Sequence, residues 1–204
     1  MHYIYTIGHS TNTLESFINL LDKYKINCVI DVRGIPFSKY ASQYNRENIK
    51  YTLNNLGIHY IYMGDVLGAR RKEPELYSKE GYLDFEKVQK DSIFLNGVNR
   101  VIEGIAKGYI ITFMCAEKEP LSCHRSILLG REFQHNKYNV YHILENGEIE
   151  TQSALEEKLL DMYFKGRNQI SLFEMQEDDN IDKLISDVYR LQNKKIGYHL
   201  GEEQ

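Results

Sequence analysis

The sequence has little cysteine and no long apolar run, and each shortage excludes a class of protein. Three cysteines in 204 residues are too few, and odd in number, to frame a disulfide scaffold, which points to a reducing cytoplasm. No stretch approaches the roughly 18 apolar residues of a membrane helix, so no membrane partner is expected. Met1-His2-Tyr3-Ile4-Tyr5 carries neither the basic flank nor the small-residue cleavage site of a signal peptide. Gly-x-Gly-x-x-Gly, a Walker loop and His-Glu-x-x-His are also missing, which leaves dinucleotide, P-loop and zincin readings without support. What is present is ordinary globular material, 42% hydrophobic and 26% charged, which excludes general disorder and a fibrous repeat.

The net charge of −4 is unevenly spread. Residues 173–204 hold eight acidic and four basic side chains, which leaves residues 1–172 balanced at 21 of each sign. Within that part, residues 33–72 carry seven cations (Arg33, Lys39, Arg46, Lys50, Arg70, Arg71 and Lys72) against Glu47 and Asp65, a local charge of +5. Tyr40, Tyr44, Tyr51, Tyr60 and Tyr62 lie among them. Overall acidity argues against coating of nucleic acid, while a local basic and aromatic face fits either a solvated helix surface or a strand-binding one.

Five short apolar runs predict strands: Tyr3–Ile7, Cys28–Val32, Ile58–Tyr62, Tyr109–Met114 and Val140–Leu144. Helical patterns separate them, which predicts crossover units and a mainly parallel sheet. The first helix is expected to be capped by Asn12 with Glu15 three residues on. Ile49, Leu53 and Leu56 mark a second helix closed by Gly57. Residues 82–107 carry one or two helices, with Gly97 as a break and Gly108 as a stop. A helix is expected from Ser122, and another over Gln152–Phe164. The expected architecture is a three-layer α/β domain over residues 1–164 with a sheet of about five strands. Residues 165–204 form a linker and a helical C-terminal extension, in which Ile181, Leu184, Ile185, Val188 and Leu191 share one face.

Ligands of open parallel sheets collect at the carboxyl ends of the strands. Gly8-His9-Ser10 follows the first predicted strand, Arg33 to Ser38 the second and Cys115-Ala116-Glu117 the fourth, before Ser122-Cys123-His124-Arg125 opens a helix. With Ser122 as N-cap, Cys123 sits in the first turn, where N–H groups, the dipole, His124 and Arg125 favour a thiolate. Cys123 or Cys115 is the candidate nucleophile, and His9 or His124 the candidate base. Asp31 and Glu117 are candidate orienting carboxylates, although Asp31 could equally pair with Arg33. Arg33, Arg125, Ser10, Ser38 and Lys39 are the candidate contacts to a phosphate-bearing substrate. The competing structural reading makes these thiols core filler, Ser10 or Thr11 a helix cap and His9 a surface hydrogen bonder. Cys115, Cys123 and His124, with His9, have soft donors suited to zinc. The spacing Cys-x7-Cys-His lacks a Cys-x-x-Cys, so no cofactor is expected and zinc is an alternative only.

Three segments, taken in order, carry a resemblance: Thr6-Ile7-Gly8-His9-Ser10; Asp31-Val32-Arg33 with Pro36 and Ser38; and Cys115-x-Glu117 leading to Cys123-His124-Arg125. Together they resemble the family called domain of unknown function 488, over about residues 3–145. The resemblance implies an α/β domain with a polar rim and brings no settled reaction with it. The chain departs from the family at Leu67-Gly68-Ala69, where a second glycine is usual and would allow a closer backbone approach to a ligand.

The tail carries an independent signal. Gln169-Ile170-Ser171-Leu172-Phe173 resembles the peptide by which bacterial replication and repair proteins dock on the β sliding clamp, with Leu172 and Phe173 entering an apolar pocket and Gln169 bonding at its edge. The sequence thus predicts a cytoplasmic protein that binds or processes nucleic acid or a nucleotide in DNA repair or replication, as a cysteine-dependent enzyme. The alternatives are a non-catalytic DNA-associated adaptor, and a small-molecule thiol enzyme or metalloprotein unrelated to DNA.

Overall fold

The computed structural model describes residues 2–164 and 178–199. Its centre is a six-stranded sheet in the order β3-β2-β4-β1-β5-β6. The strands are β1 (Tyr3–Gly8), β2 (Cys28–Asp31), β3 (His59–Tyr62), β4 (Ile111–Cys115), β5 (Asn139–Ile143) and β6 (Ile149–Thr151). Every neighbouring pair is parallel except β5 and β6. Every residue of β2 and β4 is buried, as expected of strands covered on both faces. The sixth strand exceeds the expected five. Its three residues, Ile149-Glu150-Thr151, turn back beside β5 after Gly147, whose φ of 78° favours glycine.

The helices are α1 (Leu14–Lys23), α2 (Arg46–Asn55), α3 (Gly64–Leu67), α4 (Phe85–Val88), α5 (Ser92–Ala106), α6 (Arg131–His135), α7 (Gln152–Tyr163) and α8 (Asp178–Ile196). Helices α1 and α2 cover one face of the sheet, burying Phe17, Leu21, Ile49 and Leu53 against Ile7, Val29 and Met114. On the other face Val98, Val101, Leu155, Leu159 and Val188 pack on Ile4, Ile30 and Phe113. Among the described residues no helix is long and apolar enough to cross a membrane.

Three local expectations are corrected. Thr13, not Asn12, caps α1, its hydroxyl accepting the Ser16 N–H at 3.1 Å; Asn12 is drawn inward, and its carbonyl accepts the Tyr44 hydroxyl at 3.1 Å. Gly97 does not break a helix. It lies inside α5, where a Cβ would collide with Val66 and Leu67 of α3, so glycine here serves close packing, and the break falls at Asp91, which caps α5. Finally, no helix starts at Ser122. Pro120–Ser122 is a single 3-10 turn, Cys123 is extended (φ −132°, ψ 139°), and a π-wound stretch follows over Arg125–Gly130 before α6. The Cys123 carbonyl accepts the Ser126 and Ile127 N–H groups, and its sulfur accepts the Arg125 N–H at 3.5 Å. Cysteine therefore performs the capping task expected of serine.

Helix α8 docks on the domain rather than standing off it. Val188 and Tyr189 are buried, and the Asn193 amide donates to the Leu83 carbonyl while accepting the Phe85 N–H, both at 2.9 Å. A buried chain of hydrogen bonds ties α8 to the sheet. Gln152 donates to the Ser126 carbonyl, which fixes its amide orientation and turns its oxygen to His142 Nε2 at 2.8 Å. His142 Nδ1 therefore accepts from the Thr6 hydroxyl at 2.8 Å, and Gln152 also donates to Tyr189 Oη at 2.7 Å.

Burial, and then the nearby Arg125 charge, lower the His142 pKa to about 3. The unfolded chain takes up a proton near pH 6.5 that the folded chain refuses, so this group lowers stability as pH falls through that value. The thermal midpoint should accordingly decline between pH 7 and pH 4. His142→Asn should flatten that decline whatever its effect at neutral pH, and an undiminished slope in the variant would show that the ring is not its source.

Candidate functional site

The carboxyl ends of β1, β2 and β4 bring the three motif segments together. The ladder continues past β1, with the His9 N–H bonded to the Cys115 carbonyl and the Ser10 N–H to the Ala116 carbonyl, both at 2.9 Å. A Cβ at Gly8 would collide with the Glu117 carbonyl, so the loop after β4 can close over β1 only because glycine is there. Arg125 ties that loop down from below, donating to the Glu117 carbonyl at 2.6 Å and the Lys118 carbonyl at 2.8 Å. Arg125 is fully buried, its Nε lacks a hydrogen-bond partner, and no carboxylate pairs with it among the described residues.

Four reactive groups meet above Arg125. Glu117 Oε2 lies 2.7 Å from Cys115 Sγ and 3.3 Å from Cys123 Sγ. His124 Nε2 faces the Val32 carbonyl at 3.1 Å; a carbonyl only accepts, so Nε2 carries a proton and Nδ1 is left to meet the sulfurs, 3.9 Å from Cys115 and 3.8 Å from Cys123. Adjacency in sequence therefore does not keep Cys123 and His124 from facing one point. The two thiols are driven apart electrostatically. Burial opposes ionisation of Cys123, but the Cys115 thiol, Arg125 and His124 outweigh it and hold its pKa well down. The interaction with Cys123, and then burial, push Cys115 well up. Burial, with Cys123 alongside, raises Glu117. Burial works against a proton on His124, yet the neighbouring Cys123 raises its pKa.

Beside this cluster lies a closed ionic group. Asp31 is fully buried and accepts from Arg33 Nε at 2.9 Å, Arg33 Nη2 at 2.6 Å and the Tyr60 hydroxyl at 2.6 Å. Arg33 also donates to the Tyr44 carbonyl at 2.8 Å and to His9 Nε2 at 3.0 Å. His9 Nδ1 donates to the Ser10 carbonyl at 3.0 Å, and its ring stacks on Tyr44 at 4.1 Å. Burial and Arg33 lower the His9 pKa to about 4. Asp31 thus orients Arg33 rather than His9, the Arg33 fork is turned inward, and both His9 nitrogens are engaged. Ser10 holds a left-handed backbone (φ 44°), and the Ser38 hydroxyl accepts the Tyr40 and Ala41 N–H groups in a turn. Lys39 is exposed on that turn.

The cluster floors a cleft of about 610 Å³. Ser10, Ser38 and Lys39 are not among its lining residues, whereas Ile35, Phe37, Arg70, Lys195, Tyr198 and His199 are. Arg70 lies over the Tyr198 ring at 4.6 Å, and neither Arg70 nor Lys195 has an ion-pair partner among the described residues. These two cations are what sequence reasoning missed. Arg70 appeared there only as part of a charged segment, and nothing local shows that Lys195 returns to the strand ends. The basic segment is also less open than its composition implies, because Arg33 is paired inside and Arg71 is buried against Asp91 at 2.5 Å. The third cysteine, Cys28, borders a separate cavity of about 480 Å³ beside β3 and α5, and burial pushes its thiol up to about 11.

Residues 13–131 match the sequence model of a family described as Domain of unknown function DUF488. The match takes in Asp31-Val32-Arg33 and the stretch from Cys115 to Arg125, and begins after Thr6–Ser10. No curated protein and no solved structure matches the chain.

The Asp31–Arg33 pair yields a direct expectation. Asp31→Asn leaves a buried guanidinium uncompensated, at a cost of about 3–5 kcal/mol. Urea denaturation should show the loss as a lowered midpoint with unchanged slope. A shift under about 1 kcal/mol would mean the pair behaves as an exposed one.

Proposed function

The chain belongs to the DUF488 family, and from that footing we propose that its cleft is the active site of a cysteine-dependent enzyme acting on a phosphate-bearing small molecule of the nucleotide class. The observation that carries this reading is the convergence of Cys115, Cys123, His124 and Glu117 on the floor of a cleft whose walls bear Arg70 and Lys195, neither with an acidic partner among the described residues. Core packing has no need of two thiols, an imidazole and a carboxylate at one point, and a ligand-holding adaptor has none either. Arg70 and Lys195 supply charge for the phosphate. Ile35 and Phe37, 54% and 63% exposed, give an apolar ledge for a planar base. Cys115 and Cys123 are the groups the chemistry depends on, with His124 directed at them, and Glu117 handles protons beside them. A small ligand is favoured over a nucleic-acid strand because Arg33 and Arg71 are already used inside the protein.

Calorimetric titration with inorganic phosphate and with nucleoside mono- and diphosphates tests this. Binding should weaken at least about tenfold in an Arg70→Ala, Lys195→Ala variant, as expected for lost charge-assisted bonds. Unchanged affinity would remove those cations from the site.

We also propose recruitment to a bacterial β sliding clamp through Gln169, Leu172 and Phe173. These residues lie outside those the structure describes, between α7 and α8, so the support is the pentapeptide itself and its place between two helices that pack on the domain. Micromolar binding to the clamp, abolished by the double change Leu172→Ala, Phe173→Ala, is the expected result. Absence of binding at tens of micromolar would end the association with DNA replication and repair.

A further inference from the structure

We propose that Cys115, Cys123 and His124 hold a soft divalent metal ion of the zinc class, with the remaining coordination position facing the cleft beside Glu117. This rests on the cleft being the chemical centre, as argued above, and adds the cofactor it would use.

The argument begins with distance. The two sulfurs and His124 Nδ1 all lie within 4.8 Å of one another, and the sulfur–nitrogen edges are 3.8 and 3.9 Å. Zinc at about 2.3 Å from sulfur and 2.0–2.1 Å from nitrogen, in a tetrahedral arrangement, sets that edge at about 3.6 Å. Closing the difference takes a few tenths of an ångström, within reach of side-chain adjustment. Orientation supports the same set. The bond from His124 Nε2–H to the Val32 carbonyl is the outer-shell contact that fixes a ligating imidazole, and it directs Nδ1 at the sulfurs.

Charge and donor type narrow the ion. Two thiolates, a divalent cation, Arg125 and Glu117 together are neutral, and this accounts for an enclosed Arg125 with no carboxylate paired to it among the described residues. Thiolate and imidazole select zinc-like ions over magnesium or calcium. Two cysteines and one histidine, with a place left over, match a catalytic rather than a closed structural set. Glu117, 2.7 and 3.3 Å from the sulfurs, borders that place. Loading exchanges the thiol protons for the ion and releases them to solvent.

The test uses the full chain, reduced and stripped with chelator, titrated with Co²⁺ as the probe. One equivalent should bind, with an intense sulfur-to-cobalt charge-transfer absorption that Zn²⁺ abolishes by displacement. Cys115→Ser, Cys123→Ser and His124→Asn should each weaken Co²⁺ by more than about a hundredfold, beyond the usual cost of an outer-shell loss, with circular dichroism confirming the fold. Cys28→Ser should bind as the unaltered chain does. A folded protein without the charge-transfer band, or a His124→Asn variant of unchanged affinity, overturns the site. Nucleotide titration of the stripped protein separates the two readings. Nucleotide bound through Arg70 and Lys195 without Co²⁺ uptake defeats the metal site alone, whereas Co²⁺ uptake without nucleotide binding upholds the metal site and defeats the nucleotide reading.

Discussion

The guanidinium of Arg125 is closed off from water yet bonded to two backbone carbonyls of the loop after β4. Enclosing a cation costs several kcal/mol unless negative charge or well-aimed dipoles compensate it. Here the carbonyls of Glu117 and Lys118 supply dipoles, and the Cys123 sulfur takes the backbone N–H of the same residue. The loop must therefore lie where the guanidinium can reach it, which in turn requires glycine at position 8. Glu117 faces the two sulfurs because the loop is pinned at its own carbonyl.

The π-wound stretch belongs to the same arrangement. All six residues of Arg125–Gly130 are buried, and a wider winding changes which side chains point inward from those an α-helix would present. Gln152 exploits it, reaching the Ser126 carbonyl and joining it to His142 and Tyr189. The helical wall behind the thiols is thus fastened to β5 and to α8 by one hydrogen-bonded chain, and few polar groups in it can move alone.

Much of the fold was legible in the sequence for a definite reason. Strands buried on both faces leave continuous apolar runs, as in Cys28–Asp31 and Ile111–Cys115, and parallel strands deliver the residues after them to one edge. Strand β6 was not legible because three residues cannot display an alternation. Ser122 and Asn12 misled because capping preference is local, whereas the residue that caps is chosen by where the chain must go next. At the rim, a sequence can bring Asp31, Arg33 and His9 near one another but cannot show that they satisfy each other's hydrogen bonds. Nor does the amphipathic pattern of α8 say which surface it covers, and so Lys195 was invisible as part of the cleft.

That last wall has a consequence for the order in which the protein comes into being. Translation runs from the amino end, so all six strands, the cysteines and His124 leave the ribosome before α8 does. The nascent domain can build its sheet and bring the thiols together while one flank of the cleft is still open. Only when Asn193 finds Leu83 and Phe85, and Tyr189 finds Gln152, does the flank bearing Lys195 arrive. Until α8 has been made, the cluster of Cys115, Cys123, His124 and Glu117 lacks the wall of its cleft that bears Lys195, and the sulfurs have their widest approach.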